Sequence, residues 1–138
     1  MNERTIYITR FDLERLEDLL TVISEFSYRD RGDLEALESE LQRGKQVDSK
    51  DVPPDIVTMN SRMRLLDVDT HEKMVFTLVF PQDADITAGK LSVLSPIGTA
   101  VLGYSAGDII KWRVPSRVRR IKIDKVLYQP EAAGDYHL

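Results

Sequence analysis

Three carboxylates stand close together in a polar stretch of the chain: Asp30, Asp33 and Glu35. Mg²⁺ prefers oxygen ligands of this kind, and it typically binds one or two carboxylates while keeping several waters. Acidic residues are equally typical of a solvated loop followed by the first turn of a helix, where negative charge is favoured. We favour the second interpretation and predict no resident metal, although such a tip would be attracted to a partner that carries a metal ion.

Ser95, Pro96 and Ile97 form a second candidate site. Serine followed by proline is typical of a helix start, because serine caps free N–H groups and proline fits the first turn. A contact with a partner is the alternative role for this corner. Catalysis by Ser95 is disfavoured, since the chain has no G-x-S-x-G motif and the sequence places neither of its two histidines as a base. The chain has no cysteine, which excludes thiolate metal sites and cysteine nucleophiles, and two histidines do not favour a histidine-rich metal site. We expect no enzymatic activity and no cofactor.

A basic segment is the third candidate. Residues 111–125 hold seven Lys or Arg against one Asp, whereas the rest of the chain holds 12 basic and 22 acidic residues. Such a segment suits the phosphates of a nucleic acid or, in our preferred interpretation, an acidic protein surface. An ordinary solvated strand pair shows the same alternation of basic and apolar residues. The candidate contact residues are Arg117, Arg119, Arg120 and Lys122.

Residues 1–50 predict an N-terminal strand followed by a short pair of helices. Thr9 and Asp12 fit a capping box, in which the Thr9 hydroxyl accepts from a first-turn N–H and the Asp12 carboxylate returns to the Thr9 N–H. Ile8 and Leu13 occupy the positions of a hydrophobic staple. Two apolar seams on either side of the polar stretch indicate an antiparallel coiled-coil hairpin with arms of about 10 to 16 residues. The seams are Leu13, Leu16, Leu20 and Ile23, then Leu34, Leu37 and Leu41.

Residues 51–138 predict an α+β domain with one helix on an antiparallel sheet. The boundary lies at Pro53 and Pro54, because consecutive prolines cannot continue a helix. Short runs rich in Val, Ile, Leu and aromatic residues then predict five strands. These runs lie at 63–68, 74–80, 91–94, 109–114 and 118–128, and the helix between them begins at Ser95 and ends at Gly103.

The 138 residues suffice for one compact domain with a helical appendage. The sequence has no apolar run long enough to span a membrane and no secretory signal at its start. We therefore expect a cytoplasmic protein without a membrane partner.

Four segments resemble one known family. Residues 95–103 (SPIGTAVLG) resemble the serine-proline helix of the GreA/GreB transcription factors, and Tyr7-Ile8-Thr9 with Leu16 resembles the start of their coiled coil. Residues 55–62 (DIVTMNSR) and 129–136 (QPEAAGDY) resemble the two most distinctive segments of the Rnk branch of that family, the regulators of nucleoside diphosphate kinase.

The resemblance implies a C-terminal domain of the FKBP type, a coiled coil much shorter than that of Gre factors, and docking on bacterial RNA polymerase. Gre factors insert their coiled coil through the secondary channel and deliver acidic tip residues to the catalytic magnesium, while the C-terminal domain holds the channel rim. On that pattern Asp33 matches the first acidic tip residue, but the second position is Ala36. Ser95 and Pro96 match the rim-binding helix, with Leu94 in place of a polar or acidic residue.

Three functions remain open. The resemblance and the missing acid at Ala36 favour a monomeric regulator that occupies the secondary channel, competes with Gre factors, and affects nucleoside diphosphate kinase levels indirectly. The second function is a Gre-like elongation factor whose tip stimulates transcript cleavage. The third is a small nucleic-acid-binding protein that uses the basic segment, and its binding would weaken steeply with added salt.

Overall fold

The computed structural model describes residues 7–26, 41, 44–114, 117–135 and 138. The acidic residues Asp30, Asp33 and Glu35 lie outside these residues, as does most of the predicted second arm of the hairpin. The paired helices therefore remain a prediction.

The first helix begins where its cap predicts. Helix α1 spans Arg10–Phe26, and the Thr9 hydroxyl accepts a hydrogen bond from the Asp12 N–H at 3.1 Å. The other half of the predicted capping box is wrong, because the Asp12 carboxylate bonds elsewhere in the fold. Just before the helix, strand β1 (Tyr7–Thr9) pairs in parallel with strand β2 (Lys45–Val47). The sequence predicts an N-terminal strand but not its partner β2.

All five predicted strands are present in one sheet. They are β3 (Arg62–Asp67), β4 (Lys73–Val79), β5 (Lys90–Ser92), β6 (Ile109–Val114) and β7 (Arg117–Tyr128). Their spatial order is β5-β4-β3-β7-β6.

The prediction of a wholly antiparallel sheet is wrong at one edge. β5 pairs with β4 in parallel, with Leu78 opposite Leu91. The connection between these strands contains two 3-10 turns, Pro81–Asp83 and Ile86–Ala88, and is far longer than a hairpin turn. A connection of this length can bring the chain back in its original direction, which a parallel partner requires.

Two helices, not one, accompany the sheet. Helix α2 (Pro96–Val101) follows its predicted serine cap, and Gly103 beyond it has a φ of 82°, the left-handed conformation that ends helices. The short helix α3 (Pro130–Ala133) was missed, although it also begins with proline and ends at a left-handed glycine, Gly134. The fold class is mixed α+β, with a sheet domain and few helices.

The core joins the N-terminal segment to the sheet. Alternate strand residues, including Leu65 and Ile123, face inward and are fully buried. Ile8, Leu13 and Leu16 belong to the same apolar cluster, and Leu16 has no exposed surface. Helix α1 is therefore packed against the sheet domain from its first turns. No helix within the described ranges is both long and apolar enough to cross a membrane.

Candidate functional site

The Ser95 corner is a tightly built helix start. The Ser95 hydroxyl donates to the carbonyl of Ser92 at 2.7 Å and accepts from the N–H of Gly98 at 3.1 Å. A Cβ at position 98 would lie 2.1 Å from the Ser92 carbonyl oxygen, so only glycine fits there. Ile97 is 4% exposed and packs in the core, so its side chain supports the corner from beneath.

The basic segment is partly neutralised by aspartates that the sequence analysis did not connect with it. Arg119 bonds Asp67 through Nε at 2.8 Å and forms a salt bridge with it through Nη2 at 2.7 Å. Arg120 pairs with Asp69 at 2.5 Å in an exposed position. Lys122 is half-buried, and Arg117 lies at the start of β7. The four candidates therefore share one strand without forming a uniform cationic patch.

Asp67 is the best-partnered of these aspartates. Its other oxygen accepts from the N–H groups of Asp69 and Thr70, which closes the turn after β3. The Arg119 guanidinium and these N–H groups lower the pKa of Asp67 to about 2. This carboxylate is a structural anchor for the β3–β4 turn and for β7.

The structure reveals a polar junction that the sequence analysis missed. At its centre the buried carboxylate of Asp12 accepts from the Met59 N–H at 3.0 Å and from Arg15 Nη2 at 2.6 Å. The first turn of α1 is thereby bonded to the segment that leads into β3. A charged residue on the otherwise apolar face of α1, beside Leu13 and Leu16, was the available signal.

Burial shifts the ionisation of this group. Desolvation raises the pKa of Asp12 to about 6, and the negative charge of Glu131 acts in the same direction, while the bonds from Met59 and Arg15 oppose the shift. Two buried acids, Asp12 and Glu131, therefore share this part of the fold, and only Arg15 among the groups that act on Asp12 supplies positive charge.

The segments 55–62 and 129–136, which carry part of the family resemblance, meet at the same junction. Of the second segment, the structure describes residues 129–135. The Thr58 hydroxyl donates to Glu131 at 2.6 Å. The Gln129 amide donates to the carbonyls of Pro53 and Ile56, both at 2.8 Å. These bonds tie the segment before β3 to helix α3, although they are more than 70 residues apart.

A cleft of about 550 Å³ opens beside the junction. The Arg15 guanidinium lies over the rings of Phe11 and Phe80, 3.9 and 4.8 Å from their centroids. Arg15 Nη2 also donates to the Leu138 carbonyl at 2.7 Å. The cleft is lined by Arg15, Asp18, Leu19, Asn60, Phe80, Gln82, Asp83 and Leu138.

Metal ligands do not cluster in the part of the chain that the structure describes, where no group of three or more His, Asp or Glu could hold an ion. The predicted acidic tip is not included in that statement.

Comparison with known families matches nearly the whole chain. The family model "Transcription elongation factor, GreA/GreB, C-term" matches residues 52–128. A second model, "Rnk N-terminus", matches residues 4–47.

Individual proteins show the same similarity. The chain is 38% identical to the regulator of nucleoside diphosphate kinase of Escherichia coli strain K12, over the full length of both. It is 34% identical to transcription elongation factor GreA of Bartonella tribocorum, over 75% of this chain and 66% of that protein. A solved GreA/GreB elongation factor from Nitrosomonas europaea superposes with a TM-score of 0.74 at 39% identity, covering 91% of this chain and all of that one.

Proposed function

Because this chain belongs to the GreA/GreB family, we propose that it is a transcription regulator that docks on bacterial RNA polymerase at the secondary channel. It occupies the channel mouth and thereby excludes longer Gre factors. It makes and breaks no bond of its own, so it is a binding protein and not an enzyme.

The family match over residues 4–47 and 52–128 carries this proposal, and the bond between Asp12 and Met59 supports its geometry. A factor that grips a rim with one part and enters a channel with another needs a fixed angle between the two. The buried bond holds the first turn of α1 against the sheet domain, and Leu16 packs beneath it. Helix α1 has 17 residues, which is about 25 Å at 1.5 Å per residue. A short helix that is held firmly against the sheet domain is suited to occupying the channel mouth.

The remaining parts of the proposal come from the sequence. Residues 1–50 form the short antiparallel hairpin, with Asp30, Asp33 and Glu35 at its tip, and residues 51–138 form the FKBP-type domain. Ser95 and Pro96 contact the rim, and Ile97 keeps their corner in place. Ala36 stands where Gre factors carry a second acid, so the tip holds no metal and stimulates no cleavage.

The physiological effect is indirect. The Escherichia coli relative is named a regulator of nucleoside diphosphate kinase. We infer that this chain changes the level of that kinase through transcription, acting in the cytoplasm as a monomer on polymerase.

Competition on purified core polymerase tests the proposal. The chain is expected to co-purify with core polymerase at micromolar concentration, to be displaced by excess Gre factor, and to block Gre-stimulated transcript cleavage without causing any. Absence of binding would refute the docking. Cleavage by the chain itself, abolished by Asp33→Ala, would replace the competitor with a Gre-like cleavage factor.

A matched pair of variants tests the junction. Asp12→Ala removes the acceptor of the Met59 N–H and is expected to weaken competition with Gre factors about tenfold, equivalent to about 1.4 kcal/mol. Glu14→Ala, on the exposed side of the same helix, is expected to compete like the unmodified chain. Both are compared at a temperature where near-UV circular dichroism shows them folded. Equal competition by all three proteins would show that the fixed angle of α1 is not needed.

A further inference from the structure

The outer face of the five-stranded sheet is strongly cationic. Strand side chains alternate between the two faces, and Leu65 and Ile123 point into the core, which also holds Ile97 of helix α2. The opposite face carries Arg64 and Arg120, which pair with Asp124 and Asp69. It also carries six further cations that are exposed or half-buried: Arg62, Lys73, Lys90, Lys111, Lys122 and Lys125. We call these six residues the cationic face. In a chain of net charge −4 this concentration on one surface leaves the remainder strongly acidic.

Strand pairing places aliphatic residues between these cations. Leu66 lies opposite Lys73 on one side and Lys122 on the other, and Lys122 in turn lies opposite Ile109. Opposed residues in a sheet have Cβ atoms about 5 Å apart, so these four side chains form one continuous row across β4, β3, β7 and β6. Ile109 is 56% exposed at the end of that row.

A neighbouring row repeats the pattern. Val75 lies opposite Arg64, and Arg64 lies opposite Lys125. Val75 is 40% exposed. Both rows therefore present exposed aliphatic side chains among positive charges.

The charges of this face act on Asp124, an acid that lies among them. Asp124 bonds Arg64 at 2.6 Å, and that bond lowers the pKa of Asp124, with further lowering from Lys73 and Lys122. Within the described chain, none of the six cations forms an ion pair of its own. Because Arg64 is paired with Asp124, the positive charge that remains for a partner comes from the six residues of the cationic face.

We propose that the cationic face is a docking surface for an acidic segment of another protein, whose carboxylates pair with the lysines and whose aliphatic side chains cover Val75 and Ile109. Nucleic acid fits less well, because phosphates would leave those aliphatic side chains without apolar contact. The face lies opposite α2 and the Ser95 corner, so it can be occupied while that corner holds another surface. The proposal does not depend on polymerase docking.

Fluorescence anisotropy with three labelled probes of equal charge tests the docking. The probes are a glutamate peptide with interspersed leucine, the same peptide with serine in place of leucine, and an oligothymidylate. The leucine peptide is expected to bind most tightly and to lose affinity as salt is added. Tighter binding of oligothymidylate would identify a nucleic-acid surface instead, and no saturable binding of the leucine peptide would overturn the proposal.

Two pairs of charge reversals locate the binding. The double variant Lys73→Glu with Lys122→Glu is expected to weaken binding of the leucine peptide at least about tenfold, because two attractive contacts become repulsive. Lys45→Glu with Lys50→Glu changes the net charge equally on the N-terminal segment and is expected to have little effect. Similar losses from both pairs would mean a diffuse charge effect and would refute a defined surface.

A third variant tests the apolar part of the surface without changing charge. Ile109→Ser alters an exposed side chain, so folding is not at risk. It is expected to weaken binding of the leucine peptide several-fold and to leave binding of the serine peptide unchanged. Unchanged affinity for the leucine peptide would remove the aliphatic contact from the proposal.

Discussion

The Asp12 carboxylate accepts a hydrogen bond from the main-chain N–H of Met59 at 3.0 Å, across 47 residues of sequence. Both groups are buried, and the same carboxylate also receives the Arg15 guanidinium. One side chain therefore caps no helix but joins the start of α1 to the start of the sheet. The stability of that joint follows from burial and ionisation together.

Removing the carboxylate is expected to destabilise the fold. Asp12→Ala leaves the Met59 N–H buried without an acceptor and leaves Arg15 without its ionic partner, at a cost of about 1 to 3 kcal/mol. The free energy of unfolding, measured by urea denaturation at neutral pH, checks this value. Glu14→Ala, which changes an exposed acid of the same helix, is the control and is expected to lie within about 0.5 kcal/mol of the unmodified protein.

The Asp12 carboxyl also predicts a pH dependence. Its pKa is raised to about 6 from 3.8, so the folded protein takes up this proton more readily than the unfolded chain. The resulting stabilisation is complete below about pH 4 and is lost as pH rises through about 6. Relative to Asp12→Asn, the unmodified protein should therefore lose about 3 kcal/mol of unfolding free energy between acid and neutral pH. A pH-independent difference between the two proteins would contradict the assignment to Asp12.

Asp67 predicts a pH dependence of stability with the opposite sign. Its pKa is lowered to about 2, chiefly by Arg119, so its contribution to stability is present above the ordinary pKa of 3.8 and is lost as pH falls toward 2. In Arg119→Ala the pKa of Asp67 should rise toward its ordinary value while staying below it, because two N–H groups still donate to the carboxylate. Carboxyl-carbon NMR titration measures the change. Arg120→Ala, which removes the exposed partner of Asp69, should move Asp67 much less.

The Ser95 corner predicts that two substitutions reduce the stability of the fold by different amounts. Gly98→Ala forces a Cβ to within 2.1 Å of the Ser92 carbonyl oxygen, and the required backbone shift should destabilise the protein by about 1 to 3 kcal/mol. Ser95→Ala removes only the cap and should cost about 1 kcal/mol. Thermal unfolding of both variants provides the comparison. If Gly98→Ala were neutral, the close approach at this corner would be wrong.

Local signals in the sequence determined most of the secondary structure. Thr9, Ser95 with Pro96, and Gly103 mark helix ends because capping and left-handed backbone geometry depend on a few neighbouring residues. The five strands of the sheet likewise follow from short apolar runs. The missed helix α3 had the same signals but is only four residues long, too short for a periodic pattern.

The sequence by itself thus determined the elements and the family resemblance, whereas tertiary structure decided which elements and charges meet. Only the fold shows that β5 runs parallel to β4, that Arg119 and Arg120 face aspartates, and that residues 55–62 and helix α3 share one junction. Asp12 shows why: a local rule assigned its carboxylate to the Thr9 N–H, but in the folded chain it bonds the Met59 N–H instead. Partners distant in sequence are chosen by burial, because every enclosed polar group must be satisfied by whatever the whole fold brings within reach.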